Sequence, residues 1–220
     1  MRNRGVLGVS DVSKLKAFCF LAAGPLFLIA NIVAGLGWRK PPYSWAEHNI
    51  SDLGNVYCGQ WDTTRPRYVC SPWHDGFNAS ILVVVALVVL GVLLTWNTLG
   101  RGGAVRTAQG FVLAGVLGFA LAAARPADID ENLHFLGALL IFIGFNLGPV
   151  AAAFARRDTL LGGMRTTSAV LGIVALTGTV LFLAQVDVGI GIGGMERVPV
   201  FTPLLWLALV GWRVHRRAHR

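Results

Sequence analysis

Residues 44–55 of the chain, Ser-Trp-Ala-Glu-His-Asn-Ile-Ser-Asp-Leu-Gly-Asn, combine an imidazole with two carboxylates in the least apolar stretch of the first eighty residues. Ser44 followed three residues later by Glu47 forms a capping box, which is typical of the start of a helix. Gly54 is a typical residue at a helix end. The pattern therefore predicts a short helix from Trp45 to Leu53.

On such a helix His48 and Asp52 would share a face, because residues four apart are neighbours on a helix surface. A carboxylate one turn away from an imidazole can fix its tautomer and raise its basicity, or join it in holding a metal ion. Capping and surface solvation are the alternative explanation for the polar residues of this segment. Position alone does not decide between the two.

The composition is that of a membrane protein, since 55% of the 220 residues are hydrophobic, 14% are charged and the mean hydropathy is +0.62. A helix that crosses a bilayer needs about 20 mainly apolar residues. The sequence predicts an all-α fold, a polytopic bundle of six transmembrane helices in one domain, with a long outer loop between helices one and two that carries the short helix. The predicted spans are about 17–38, 78–96, 108–124, 133–155, 167–185 and 198–214.

The net charge of +8 is distributed as an orientation signal. With the N-terminus inside, most Lys and Arg residues fall in cytoplasmic segments, whereas every acidic residue except Asp11 and Asp158 falls outside. The positive-inside rule then predicts that both termini are cytoplasmic, in a plasma membrane. The basic excess fits this topology and contact with membrane lipid better than a nucleic-acid surface.

Two of the three cysteines, Cys58 and Cys70, lie in the first outer loop, and Cys19 lies in the first helix. Outside the cytoplasm a pair of this kind can oxidise, so we predict a structural disulfide between Cys58 and Cys70. A redox-active pair usually has closer spacing, and the chain contains no Cys-x-x-Cys motif.

Ionisable residues collect at the predicted outer ends of the helices, which must converge in a bundle, so we expect several of them to share one outward-opening cavity. A solvated rim is the alternative. Asn31, Asn78 and His134 extend the polar set below the rim. The rim itself contains His48, His74, Glu47, Asp52, Asp75, Asp128, Asp130, Glu131, Glu196, Arg125 and Arg197.

These residues suggest specific roles in an outward-facing site. The predicted acid and base groups are His48, Asp52, His134 and Glu196. The predicted substrate-binding residues are Trp45, Asn55, Asn78, Arg125 and Arg197, the two arginines being suited to a phosphate or another anionic head group. A metal-assisted version would hold a divalent ion such as zinc on His48, His74 and His134.

Several segments resemble a prokaryotic six-helix membrane family that is catalogued as a domain of unknown function, family number 998. The resemblance spans nearly the whole chain and implies the six-helix fold, without an activity. The Cys58 to Cys70 segment has no counterpart in the family pattern. The segments that carry the resemblance are His48-Asn-Ile-Ser-Asp-Leu-Gly-Asn55, Phe77-Asn-Ala-Ser80, His134 at a helix start, and Gly194-Met-Glu-Arg197 followed by Trp206.

A more distant similarity is to membrane hydrolases of the alkaline ceramidase kind, in which three histidines, an aspartate and a serine gather around zinc. Candidate serines here are Ser44 and Ser51. The chain departs from that family because it has six predicted helices in place of seven and no outward His-x-x-x-His pair. The cluster of histidines and carboxylates, with Arg125 and Arg197 near it, favours an enzyme acting on a lipid or isoprenoid at the outer leaflet. The alternatives are a small-molecule transporter or binding protein, and a structural protein that binds a partner.

Overall fold

The computed structural model of the protein describes the backbone of residues 9–218 and the side chains of residues 12–218. Six helical spans in this part of the chain are long and apolar enough to cross a membrane. The prediction of a six-helix integral membrane protein is confirmed. The helices are α1 (Val9–Gly37), α2 (His74–Thr95), α3 (Gly103–Ala124), α4 (Glu131–Leu139), α5 (Asn146–Ala152), α6 (Arg165–Leu183) and α7 (Ile192–Ala218).

The fourth span consists of α4, a π-helical segment over Leu140–Phe145, and α5. Short 3₁₀-helices cover Ser51–Gly54 and Leu161–Met164. The loop between α1 and α2 also contains an antiparallel hairpin of β1 (Gly59–Trp61) and β2 (Arg67–Val69), in which Gly59 pairs with Val69.

The spans form a closed ring, in which each packs on its neighbours in the chain and α7 returns to α1. Small residues allow a close approach between α3 and α4. A Cβ at Gly118 would lie 2.5 Å from the carbonyl oxygen of Gly137, so a larger residue would push these helices apart. Aromatic side chains fill the centre of this arrangement of helices. The centroid of the Phe119 ring lies 5.6 Å from that of Phe27 and 5.7 Å from that of Phe145.

Every span begins earlier than predicted, and two of these earlier starts affect the polar residues. α2 starts at His74 in place of residue 78, and α7 starts at Ile192 in place of residue 198. Glu196 and Arg197 therefore lie in the second turn of α7 and are buried, not in the preceding loop. Hydropathy misses these turns because charged and small residues lower the local average, although their backbone is helical.

The short helix in the α1–α2 loop is present, but it is the 3₁₀-helix Ser51–Gly54 and not a helix from Trp45 to Leu53. The cause is that backbone groups of the loop bind α7. The amide of Ile50, which would donate to Ala46 in a helix, donates to the carboxylate of Glu196 at 2.6 Å. The carbonyl oxygen of Ala46 instead accepts from the amide of Gly193 at 2.8 Å. Such partners compete with intrahelical hydrogen bonds.

Candidate functional site

The contact between the α1–α2 loop and the start of α7 is unusually close. A Cβ at Gly193 would lie 2.3 Å from the carbonyl oxygen of His48, so only glycine fits there. This approach brings Glu196 beneath the loop, where its Oε2 accepts the Ile50 amide. The other carboxylate oxygen, Oε1, takes no part in this hydrogen bond. Glu196 thus anchors the loop with one oxygen and has the second for another partner.

Arg197 fixes the same loop through its guanidinium group. Nη1 donates to the carbonyl oxygens of Trp45 at 3.2 Å and of His48 at 3.0 Å, and Nη2 donates to the hydroxyl of Tyr43. The guanidinium carbon also lies 4.5 Å from the centroid of the Trp45 ring, a cation–π contact. The predicted substrate-binding residues Trp45 and Arg197 therefore bind each other.

His48 is buried, and both of its ring nitrogens are engaged by the backbone. Nδ1 accepts from the amide of Ser44 at 3.1 Å, and Nε2 lies 3.2 Å from the carbonyl oxygen of Tyr68. Because a carbonyl oxygen can only accept, Nε2 carries the proton and the imidazole is neutral. The ring stacks on Tyr43 with 5.2 Å between centroids. These contacts give His48 a structural position in the loop.

Tyr43 links His48 and Arg197 to the rest of the loop. Its hydroxyl donates to the carbonyl oxygen of Asn49 at 3.1 Å while accepting from Arg197. Burial raises the pKa of the Tyr43 phenol well above its ordinary value, with only part of the effect offset by the nearby Arg197 charge. The phenol therefore stays protonated and serves as a fixed donor.

Asp52 does not pair with His48. Its two carboxylate oxygens accept from Nε and Nη2 of Arg67, each at 2.6 Å, and Oδ2 also accepts from the amide of Asn49 at 2.8 Å. Burial by itself would lower the pKa of Arg67, but the hydrogen bonds and charge of Asp52 outweigh it and raise that pKa. This bidentate, buried ion pair joins the 3₁₀-helix to β2.

The predicted disulfide is confirmed, since Cys58 and Cys70 are bonded to each other. They flank the β1–β2 hairpin, which is therefore closed at its base. The bond holds β2 beside the 3₁₀-helix, the position from which Arg67 reaches Asp52.

Removing the disulfide tests this role. Because the bridge closes a loop with a sequence separation of 12, replacing both Cys58 and Cys70 with alanine is expected to lower the free energy of unfolding by about 3 kcal/mol. Unfolding in mixed detergent and SDS micelles measures the loss. Reduction of the native protein should reproduce it and leave the double variant unchanged. Equal stability of native, reduced and double-variant proteins would contradict a structural role.

The three histidines predicted to hold a metal do not meet. His74 Nδ1 lies 2.9 Å from the carbonyl oxygen of Ser71, and Nε2 lies 3.4 Å from the exposed carboxylate of Asp75. His48 is enclosed in the loop and His134 is on α4. Nowhere in the described part of the chain do three or more His, Cys, Asp or Glu side chains gather as a metal group. The three-histidine zinc site therefore has no geometric support.

A cavity of about 60 Å³ lies at the loop end of the bundle, between the 3₁₀-helix and helices α1, α2, α3, α4 and α7. Its polar wall is Ser51, Asn78, His134 and Glu196. The rest of the wall is mainly apolar and is formed by Phe27, Ile50, Gly54, Phe77, Ile81, Phe119, Ala122, Pro126, Ala138, Ile141, Phe142 and Val200. A polar end over an apolar floor is the general form of a small-molecule site.

Backbone carbonyls of the 3₁₀-helix are bound by the start of α2 and the residues before it, which fixes the roof of this cavity. The Asn78 amide donates to the carbonyl oxygen of Gly54 at 2.9 Å, and the Ser71 hydroxyl donates to that of Leu53 at 2.7 Å. Asn78 thus positions the loop and lines the cavity at once.

His134 is half-buried on the first turn of α4. Its Nδ1 lies 3.0 Å from the carbonyl oxygen of Arg125, which can only accept, so Nδ1 carries a proton. Glu196 lines the same cavity from α7. The structure therefore brings together two of the four predicted acid and base residues, and it puts the other two, His48 and Asp52, into the loop scaffold.

Two further predicted substrate-binding residues, like Trp45 and Arg197, lie outside the cavity wall. Arg125 is exposed, and it contributes to the site through its backbone carbonyl oxygen, which accepts a hydrogen bond from His134. Asn55 is buried, and its Oδ1 has no donor among the residues that the structure describes. Of the five predicted substrate-binding residues, Asn78 is the one that lines the cavity.

Residues 21–213 match the family described as "Protein of unknown function (DUF998)". The chain belongs to this family. The match confirms the resemblance expected from the sequence and covers all six spans in whole or in part. Comparison with curated proteins and with solved structures gave no match.

In this DUF998 chain, sequence reasoning missed the apolar floor of the cavity and the partner of Asp52. Ser51, within the Ile-Ser-Asp-Leu-Gly motif, was considered only as a candidate serine in the comparison with the hydrolases. Arg67 and Arg65 both lie in the short loop that the disulfide closes. These two cations, close in sequence to Asp52, were the signal that could have identified its partner. The floor rings, such as Phe27 and Phe119, carry no signal because any transmembrane core has similar residues.

Proposed function

We propose that this protein is a membrane enzyme that acts on a lipid-derived substrate by acid and base chemistry, with Glu196 and His134 as the reacting pair. The observation that supports it is that a buried carboxylate and an imidazole line one cavity whose floor is apolar. Paired groups of this kind transfer protons to and from a bound substrate. The apolar floor suits a hydrocarbon chain, and membrane lipid is the partner that surrounds these helices.

Each group has a part in this proposal that follows from its contacts. Glu196 is fixed through Oε2, which leaves the second oxygen to accept or return a proton. His134 is oriented by the Arg125 carbonyl, which accepts from Nδ1. Ser51 and Asn78 supply further polar contacts at the same end of the cavity. By the charge distribution of the chain, the reaction takes place at the outer leaflet of the plasma membrane.

The test is a comparison of lipid profiles. The native protein and its Glu196→Gln and His134→Gln variants are purified, inserted into vesicles made from the total lipid extract of the expression host, and analysed by mass spectrometry over time. The native protein is expected to convert one lipid class. Each variant should be slower by about 10²-fold or more, as for loss of a general acid or base.

Glu47→Gln is the matched control, because Glu47 is an exposed acid of the same loop and lies outside the cavity wall. It should convert lipid at the native rate. The Gln side chain at position 196 can still accept the Ile50 amide, so the loop stays anchored in that variant. An unchanged profile in the native vesicles, or equal rates for native and Glu196→Gln proteins, would overturn the proposal.

A further inference from the structure

The wall of the cavity has a marked charge composition, since no lysine or arginine is among its described lining residues. Glu196 is the one acidic residue among them. Arg197 follows Glu196 in the chain, but its Nη atoms donate to the loop backbone and to Tyr43. A phosphate in this cavity would therefore stand beside a carboxylate without a cation to bind it, which is costly in a buried site. The two arginines first predicted to bind an anionic head group do not line the cavity.

The size of the cavity limits which part of a lipid it holds. At about 60 Å³, it has room for roughly four water molecules, since one water needs about 10–15 Å³ of such volume. A small polar end and the first carbons of a chain fit, whereas a diacylated glycerol backbone does not. The remaining chain must lie elsewhere, so the cavity needs an opening toward hydrocarbon.

The helix packing leaves a place for such an opening on one side. α4 packs on α3, whereas α6 meets the fourth span further along, at its π-helical segment and α5. There Phe142 and Phe182 contact each other with 5.1 Å between ring centroids. At the loop end, Ala138 on α4 and Val200 on α7 instead line the cavity between them. The gap between α4 and the α6–α7 pair is thus bounded by the Phe142–Phe182 contact, and Ala138, Phe142 and Val200 all line the cavity there.

The exposed face of α4 is apolar beside this gap. Phe135, Leu136 and Leu139 are between 47% and 64% exposed. They belong to a span that crosses the membrane, so lipid chains are the medium that covers them. A chain lying on this face has its end next to the cavity.

We propose that the cavity receives, through the gap between α4 and α6–α7, the uncharged hydroxyl-bearing end of a single-chain lipid. The hydroxyl group donates a hydrogen bond to the Glu196 carboxylate, and the chain extends along α4 in the membrane. This inference specifies the substrate class of the proposed enzyme and rests on the same cavity. The binding step does not require the reaction to occur.

Photolabelling of the purified His134→Gln protein, which keeps the Glu196 carboxylate, tests binding apart from chemistry in detergent. The probes are a long-chain alcohol with a diazirine near its hydroxyl end and the alkyl phosphate of the same chain. The alcohol is expected to label peptides that contain residues 134–142 or Val200, at least tenfold more than the phosphate does. Excess unlabelled alcohol should abolish the labelling. This measurement does not depend on a variant with a bulky side chain in the cavity.

A matched pair of variants tests the entrance. Ala138→Trp fills the cavity wall, whereas Leu139→Trp changes the adjacent, exposed residue. In the His134→Gln background, labelling should fall at least tenfold in the first and persist in the second. Equal labelling by alcohol and phosphate, or labelling outside these peptides, would overturn the inference. So would equal labelling of the two tryptophan variants.

The outcomes also separate this inference from the proposed function. Labelling that is sensitive to Ala138→Trp, in a protein that converts no lipid in vesicles, would leave the binding inference standing and remove the enzyme. Conversion of lipid that depends on Glu196, together with strong labelling by the alkyl phosphate, would retain the enzyme and overturn the uncharged substrate class.

Discussion

Replacement of Asp52 with alanine is expected to lower the free energy of unfolding by about 3–5 kcal/mol, because it leaves the buried guanidinium of Arg67 without its main counterion. The two groups share two hydrogen bonds of 2.6 Å, and Arg67 retains only weaker contacts, such as 3.3 Å to Asp62. The same change frees the Asn49 amide. Unfolding in mixed detergent and SDS micelles provides the measurement.

The chain offers a matched control for this pair. Arg156 and Asp158 form an ion pair at 3.3 Å whose side chains are mostly exposed. Asp158→Ala should therefore change stability by less than about 1 kcal/mol. If Asp52→Ala and Asp158→Ala have the same effect, the Asp52–Arg67 pair does not hold the loop.

The Asp52→Ala/Arg67→Ala double variant separates loss of the pair from loss of either residue. Removing both partners eliminates the unpaired charge, so the double variant should be no less stable than Asp52→Ala alone. If the two single losses simply add in the double variant, the residues do not interact in the way described.

The number and approximate position of the spans followed from the sequence because hydrocarbon thickness sets a one-dimensional rule: about 20 apolar residues in a row. Residues at span ends were found for the same reason. His134, Asn78 and Glu196 adjoin apolar segments, and helix ends in a closed bundle meet at one side. The disulfide between Cys58 and Cys70 followed from cysteine count and loop position.

The internal structure of the loop could not follow from the sequence because its determinants are far apart in the chain. The amide of Ile50 donates to Glu196, a residue 146 positions away. Local pattern favoured a helix from Trp45 to Leu53, since capping rules consider only neighbours. For a similar reason Asp52 was assigned to His48, four residues away, whereas its partner is Arg67, 15 residues away. A spacing of four implies contact only where the helix exists.

Arg197→Ala is expected to destabilise the protein about as strongly as Asp52→Ala, by about 3 kcal/mol or more, since it leaves buried acceptors of the loop unpaired. The carbonyl oxygens of Trp45 and His48 lose their donor, and the Tyr43 hydroxyl loses its own. The cation–π contact with Trp45 is lost as well.

Arg197→Lys should recover only part of this stability, because an ammonium group cannot span the positions that the planar guanidinium reaches. The local consequence is measurable by limited proteolysis, in which Arg197→Ala should expose the loop between α1 and α2 to cleavage. Arg125→Ala is the matched control, since Arg125 is exposed and its side chain lies outside the cavity wall.

The two arginines also distinguish a scaffold from an anion site. If Arg125 and Arg197 together bound an anionic head group, replacing either one would weaken ligand binding. Neither arginine would then be needed to fold the loop. From the contacts of Arg197, we expect proteolysis and unfolding to respond to its replacement while Arg125→Ala stays native. Equal stability of Arg125→Ala and Arg197→Ala would contradict the scaffold role. Since Arg197 belongs to the same turn of α7 as Glu196, the residue that stabilises the loop also fixes the position of the carboxylate in the cavity.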